Sequence, residues 1–115
     1  MKKPNLVLII VDGGSKSRIK LNHSGSGLCP NLSSLSSTGT YFTNFISTGN
    51  PTEFSMPSIF SSSLPLDFGG YKFGLENRPA NFFEHLNDSG YRTLLVSNCH
   101  TLDKLFCFNR GFDLV

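Results

Sequence analysis

The sequence predicts an α/β fold in which helices cover both faces of a doubly wound, mostly parallel sheet. The first observation is the apolar run Leu6–Val11, which is rich in β-branched residues and ends at Gly13. Such a run is typical of a central strand buried on both faces. The second observation is that further strand patterns, at 41–46 and 92–97, alternate along the chain with helical ones. This class of fold places ligand sites at the carboxyl ends of the strands.

Three helices are predicted between and after these strands. The first begins at Pro30, because proline fits the first turn of a helix, where its missing N–H is not needed. The second covers about 53–61. The third begins at Pro79 and reaches about Asp88, with aromatic and apolar residues on one face. Together with the strands, they complete the strand–helix alternation of the predicted fold.

The composition excludes several classes of function. Ten Lys and Arg against eight Asp and Glu give a net charge of +2 over 115 residues, and no basic stripe appears, so no nucleic-acid partner is expected. No stretch approaches the roughly 20 apolar residues of a membrane span. The N-terminal apolar run is also too short for a signal peptide. Three scattered cysteines without a C-x-x-C pair are typical of reduced thiols, so we expect a cytoplasmic protein.

Asp12 is the first candidate site residue. It directly follows the predicted strand at its carboxyl end, where a carboxylate is well placed to hold a divalent cation through oxygen. The alternative is that Asp12 and Gly13 only form a turn that ends the strand.

Thr52 is the second candidate. Its hydroxyl follows a Gly/Pro turn at the mouth of a predicted helix, where exposed N–H groups favour anions. With a metal to lower its pKa, this hydroxyl can attack a phosphoryl or sulfuryl centre. The alternative is that Thr52 is only a helix N-cap, with Ser55 on the first helical turn.

His100 is the third candidate, because it lies shortly beyond the third predicted strand. The alternative is an ordinary histidine in a surface loop. Motifs of other enzyme classes are absent: the sequence contains no G-x-S-x-G elbow, no G-x-G-x-x-G loop and no P-loop.

Several blocks of sequence, taken in order, resemble the N-terminal part of the sulfatase family, within the alkaline phosphatase superfamily. The blocks are P-N-L-V-L-I-I-V-D at 4–12, P-N-L-S-S-L at 30–35, G-T-Y-F-T-N at 39–44, G-Y-R-T at 90–93 and R-G-F-D at 110–113. The resemblance covers almost the whole chain. It implies a metal-dependent hydrolase acting on sulfate or phosphate esters, of small molecules, glycans or lipids.

The resemblance also implies a position for the nucleophile. The family's segment C-x-P-S-R-x-x-L-x-T-G-x-Y-P aligns its last proline with Pro65 and its nucleophile with Thr52. Phe54 then replaces the motif proline, Ser55 keeps the serine and Met56 replaces the arginine. Sulfatases oxidise Cys or Ser to formylglycine, and Thr cannot yield that aldehyde. A Thr nucleophile instead resembles the superfamily's phosphodiesterases, phosphoethanolamine transferases and lipoteichoic-acid synthases.

A register shifted by three residues makes Ser55 the alternative nucleophile. Ser55 to Ser58 then imitates C-x-P-S, but Ile59 stands where the arginine belongs and the spacing to Pro65 is short. Thr52 is therefore the preferred assignment.

The resemblance further implies that Asp12 is the first metal aspartate, for Ca²⁺, Mg²⁺, Mn²⁺ or Zn²⁺. Gly13 replaces the second aspartate of the family's D-D pair, and His100 keeps the histidine of its G-K-W-H block. His100 is thus expected to contact the substrate anion or the leaving group.

The family's remaining metal ligands have no counterpart in the sequence, and one carboxylate does not hold such an ion firmly. We therefore expect residues 1–115 to be the N-terminal part of a larger catalytic domain with a partial sheet. The alternative is a non-catalytic α/β remnant that lacks the second half of the metal site.

Overall fold

The computed structural model describes residues 3–19, 29–102 and 104–115, with the side chain of Arg18 left aside. The chain divides into two compact units, Met1–Phe45 and Ile46–Val115, and each is considered by itself.

The first unit contains an extended apolar run and two helices. The run Leu6–Val11, here called the apolar segment, leads into a tight turn in which Gly13 has a φ of 69°. The turn is closed by a hydrogen bond of 3.3 Å from the N–H of Gly14 to the carbonyl of Val11. Helix α1, Lys16–Ile19, follows it. The ammonium group of Lys16 donates a hydrogen bond of 2.6 Å to the carbonyl of Thr43.

Helix α2, Pro30–Thr38, begins at the predicted proline. Serine and threonine are weak helix formers. At the end of α2, three of their hydroxyls donate hydrogen bonds to carbonyls of the same helix. The donors are Ser36, Ser37 and Thr38, each bonded three residues upstream at 2.7–3.1 Å. The predicted helix is confirmed, although it contributes only one buried residue, Ser33.

The second unit contains the longer helix α3, Thr52–Ser61, where the sequence predicts a helix. Pro57 lies inside it and removes one backbone donor. The helix ends at Ser62, which adopts a left-handed conformation and donates its N–H to the carbonyl of Ser58 at 2.9 Å. Short 3₁₀ turns follow at Tyr71–Phe73, His100–Leu102 and Lys104–Phe106.

Helix α4, Phe82–Asp88, begins later than Pro79 because a stronger start signal lies downstream. The Asn81 side chain accepts hydrogen bonds from the N–H groups of Phe83 and Glu84, at 2.8 and 3.0 Å. The Glu84 carboxylate in turn accepts one from the N–H of Asn81 at 2.8 Å. This reciprocal capping box satisfies N–H groups that proline alone leaves open.

The buried core of the second unit is built from residues of α3 and of the loops. Its members are Met56, Phe60, Leu75 and Phe108. The Phe60 ring meets Phe83 and Phe108 at centroid distances of 5.0 and 5.3 Å, and Phe83 meets Phe112 at 4.4 Å. Tilted and edge-on contacts at these distances are favourable for aromatic pairs. The core therefore ties α3 to α4 and to the 108–112 region.

The predicted doubly wound α/β sheet is wrong. Across the described ranges no strand pairs into a sheet, and the strand-like pairing is a single isolated parallel bridge between Leu94 and Leu114. A central strand needs a hydrogen-bonded neighbour on each side, and the apolar segment has none among these residues. Its side chains are 44–82% exposed. Residues 41–46 are likewise exposed and contain a turn instead of a strand.

Candidate functional site

Thr52 is the first residue of α3 and not its N-cap. Pro51 occupies the cap position in an extended conformation, and no side chain caps the helix. The carbonyl of Pro51 accepts the N–H groups of Phe54 and Ser55, at 2.9 and 3.3 Å. The N–H groups of Thr52 and Glu53 have no hydrogen-bond acceptor within the described ranges. The half-buried Thr52 side chain thus lies beside two backbone donors that can face an anion.

The turn before Thr52 is held tightly against the helix. The Ser47 hydroxyl donates to the carbonyl of Gly49 at 2.7 Å and accepts its N–H at 3.3 Å. A Cβ on Gly49 would lie only 2.3 Å from the Cβ of Phe54, so a side chain does not fit at this position. The Phe54 ring also stacks on Tyr71 with centroids 4.0 Å apart. These contacts fix the direction in which the chain enters α3 at Thr52.

Ser55, the alternative nucleophile, lies one turn along the same helix and is half-buried. Its hydroxyl has a long hydrogen bond of 3.4 Å to the carbonyl of Thr52. The hydroxyl oxygen of Ser58 is buried and has no hydrogen-bond partner among the described residues. Thr52 lies on the uncapped first turn and Ser55 contacts its carbonyl, so the choice between the two nucleophiles stays a prediction.

The three predicted site residues are described within their own units. His100 is exposed at the start of a 3₁₀ turn in the second unit, and no hydrogen bond links its side chain to Thr52 in the part of the chain that is described. Asp12 is exposed in the turn after the apolar segment, in the first unit. The assignment of Asp12, Thr52 and His100 to one site therefore stays a prediction.

The residues that the structure describes do not fit a metal ion. A divalent cation needs several oxygen, nitrogen or sulfur ligands that converge on one point. Within residues 3–19, 29–102 and 104–115, no three His, Cys, Asp or Glu side chains are grouped closely enough to hold one. Asp12 alone does not supply such a site.

Arg78 is an organising residue that sequence reasoning missed. Its side chain is only 5% exposed, and its guanidinium donates to carbonyls of Gly74, Leu64 and Pro65 at 2.9, 2.9 and 3.0 Å. A further bond reaches the Ser63 hydroxyl. Burial lowers the pKa of Arg78, which the charge of Asp67 partly opposes. Arg78 thus holds the loop that follows α3, up to Pro65, with donors whose targets are distant in sequence.

The G-Y-R-T and R-G-F-D blocks are hydrogen-bonded to each other in the second unit. The Asp113 carboxylate accepts the N–H of Thr93 at 2.7 Å and the side-chain amide of Asn87 at 3.2 Å. The Thr93 hydroxyl donates to the carbonyl of Gly111 at 2.7 Å. The bond from the Thr93 backbone, followed by that from Asn87, lowers the pKa of Asp113. In this chain the two blocks are therefore structural partners.

Arg110 and Gly111 hold the R-G-F-D block against the start of α4. The Arg110 guanidinium forms an ion pair with Glu84 at 2.9 Å and also donates to the carbonyl of Arg78 at 3.1 Å. A Cβ on Gly111 would lie 2.4 Å from the backbone nitrogen of Glu84. Glycine at 111 thus lets the backbone pass close to the start of the helix.

Two open cavities are lined by residues other than the predicted site residues. One of about 340 Å³ adjoins α4 and is lined by Ala80, Glu84, Asn87, Asp88, Gly111 and Phe112. The other, of about 300 Å³, is lined by residues 41–45 in the first unit. Neither includes Thr52, Ser55, His100 or Asp12 in its lining.

Comparison with protein families agrees with the ordered sequence blocks. The model of the family described as Sulfatase matches residues 4–115. The chain therefore belongs to the sulfatase family, and at this level it is a sulfatase-like hydrolase sequence. The family generally uses a divalent metal. No curated protein and no solved structure matches the chain. In the described ranges, no helix is both long and apolar enough to cross a membrane.

Proposed function

We propose that Thr52 is the nucleophile of a sulfatase-like ester hydrolase. The observation that supports this is the uncapped first turn of α3, where the Thr52 side chain lies beside two backbone N–H groups that have no acceptor among the described residues. Such donors stabilise charge on a transferring sulfuryl or phosphoryl group. The motif resemblance in the sequence also aligns Thr52 with the family's nucleophile, in the preferred of two registers.

The reaction at Thr52 consists of two displacements. The threonine oxygen forms a bond to sulfur or phosphorus, and the substrate alcohol departs with the hydroxyl proton. Water then attacks the threonine ester and restores the hydroxyl, which releases sulfate from a sulfate ester, phosphate from a phosphomonoester or a phosphomonoester from a phosphodiester. His100 is the proposed contact to the substrate anion. Because the described residues do not fit a metal, no step is assigned to one.

The charge at the site favours esters with a single negative charge. Glu53 is exposed on the first turn of α3, directly after Thr52, and its carboxylate repels anions. Sulfate monoesters and phosphodiesters carry one charge, whereas phosphomonoesters carry nearly two at neutral pH. We propose sulfate monoesters or phosphodiesters as the substrate class.

Hydrolysis assays on an aryl sulfate, a phosphodiester and a phosphomonoester, each with and without Mg²⁺, Ca²⁺, Mn²⁺ or Zn²⁺, test the assignment. We expect Thr52→Ala to lower turnover by at least about a hundredfold, as expected when a nucleophile is removed, and Thr52→Ser to retain part of it. Intact-mass measurement should detect the covalent ester on the wild type and not on Thr52→Ala.

Thr40→Ala is the matched control, because Thr40 is an exposed threonine of the first unit. It should leave turnover unchanged. Activity that survives Thr52→Ala and disappears in Ser55→Ala would transfer the role to Ser55. Activity that survives both changes would contradict the proposal.

A second candidate function is a non-catalytic protein that binds anions weakly. It is favoured by the absence of a metal-ligand group in the described ranges. Calorimetric titration with Mg²⁺, Ca²⁺ and Mn²⁺ tests it, with Asp12→Asn as the comparison. This candidate predicts dissociation constants weaker than about 100 µM, equivalent to about −5.5 kcal/mol. Tighter binding that Asp12→Asn abolishes would contradict it and support the family's metal chemistry.

A further inference from the structure

The apolar segment has the side-chain geometry of an extended strand. Exposure along it alternates with a period of two, which is the period of side chains on opposite faces of extended backbone. The less exposed set, at 53, 53 and 44%, is Leu6, Leu8 and Ile10. The more exposed set, at 82, 77 and 67%, is Val7, Ile9 and Val11. Both faces carry apolar side chains that water contacts.

The backbone of the segment is also open to pairing. Within the described ranges, the backbone bond made by the segment is the one from Gly14 to the carbonyl of Val11. Unpaired N–H and C=O groups along an extended chain are a template for another strand. The segment contains no proline, no glycine and no charge, and four of its six residues are β-branched. These are the properties of segments that pair with copies of themselves.

We propose that the apolar segment pairs, in antiparallel orientation, with the same segment of a second copy of this chain. The charges that flank it select this partner and this orientation. Lys2 and Lys3 precede the segment, and Asp12 follows it. An antiparallel pair brings the basic end of each copy beside Asp12 of the other, whereas a parallel in-register pair stacks like charges. Opposite charges across strands are stabilising, and like charges are destabilising.

The pairing is isologous, because the same surface on each copy meets itself around a two-fold axis. It relies on backbone hydrogen bonds and apolar contact along the segment, with the flanking charges setting direction. It is independent of the chemistry proposed for Thr52, which lies in the other unit.

Sedimentation velocity over a wide range of protein concentration tests for association. The wild-type chain should associate reversibly, and Ile9→Lys should weaken the dissociation constant about tenfold, because each pair then holds two charges on an apolar strand face. Ile9 is 77% exposed, so the change removes little packing within one copy. The matched control is Leu105→Lys, at a residue of the second unit that is 80% exposed, and it should leave association unchanged.

Charge reversal tests the orientation. Asp12→Lys places basic residues at both ends of the segment and should weaken association about 2- to 10-fold at low salt. Adding Lys2→Glu and Lys3→Glu to Asp12→Lys should restore association, because the two ends of the apolar segment then again carry opposite charges. A chain that stays monomeric at every concentration would overturn the proposal. So would association that resists Ile9→Lys, or a triple variant that does not recover.

Discussion

At the scale of single residues, the carboxylate of Asp113 shows how a sequence signature acts in this chain. It accepts hydrogen bonds from Thr93 and Asn87, which stabilise its charged form and lower its pKa. The charge of Arg92 acts in the same direction. Because the pKa in the folded chain lies below the ordinary value of 3.8, the interaction contributes stability at neutral pH. That contribution is lost as the pH falls from the ordinary value through the lowered one.

Asp113→Asn should therefore destabilise the chain at neutral pH and have a diminishing effect as the medium becomes acidic. Asparagine keeps an acceptor oxygen but lacks the negative charge that these hydrogen bonds stabilise. Urea unfolding midpoints from neutral pH down to below pH 3.8 measure the difference. Asp88→Asn is the matched control, because Asp88 is an exposed carboxylate at the end of α4. A difference between wild type and Asp113→Asn that stays constant with pH would contradict the linkage.

At the scale of elements, the docking of the 110–113 block onto α4 depends on a close backbone approach. Gly111 combines a φ of 82° with a backbone that passes the start of α4. A Cβ there would meet both Phe83 and Glu84 within 2.7 Å. Two effects thus require glycine: a left-handed conformation and the lack of space. The ion pair between Arg110 and Glu84 adds a charged contact at the same place, on half-buried side chains.

Gly111→Ala should lower the free energy of unfolding by about 2–4 kcal/mol, which combines backbone strain with steric displacement of α4. Gly70→Ala separates the two effects. Gly70 has a φ of 97° and a ψ of −179°, but nothing lies within 4 Å of its added Cβ, so only backbone strain of about 1–3 kcal/mol applies. Thermal or chemical unfolding of both variants measures the difference. Equal losses of unfolding free energy in the two variants would show that the close approach of Gly111 to α4 adds nothing to the effect of Gly111→Ala.

At the scale of the whole molecule, hydrophobic burial is concentrated in one unit. The buried core residues Met56, Phe60, Leu75 and Phe108 all lie in Ile46–Val115. In the described part of Met1–Phe45, the apolar segment and the aromatic residues at 41–45 are exposed. Large exposed apolar surfaces of this kind favour association. Self-association through the apolar segment should therefore make light scattering by residues 1–115 rise more steeply than in proportion to protein concentration.

Local signals predicted the beginnings of helices well. Pro30 and the Pro51-Thr52 turn mark starts that depend on residues adjacent in sequence, and both helices form there. Pro79 is a weaker signal than the capping box at Asn81, so α4 begins later. For the site, the sequence identified Thr52 as a helix-start residue beside open N–H groups. It did not predict the roles of Arg78 and Arg110, because most Arg78 acceptors lie 11–15 residues away and the Arg110 acceptors lie 26–35 residues away.

The sequence by itself determined the family and the local helix starts, because ordered motifs and helix capping depend on residues close together in the chain. Only the tertiary structure decided whether apolar runs become strands, since a strand exists through partners elsewhere in the molecule. Leu6–Val11 satisfies every local criterion for a central strand and yet has no neighbouring strand in the described ranges. The tertiary structure likewise decided that Thr93 and Asp113 meet, twenty residues apart, because that contact requires the chain to fold back past α4.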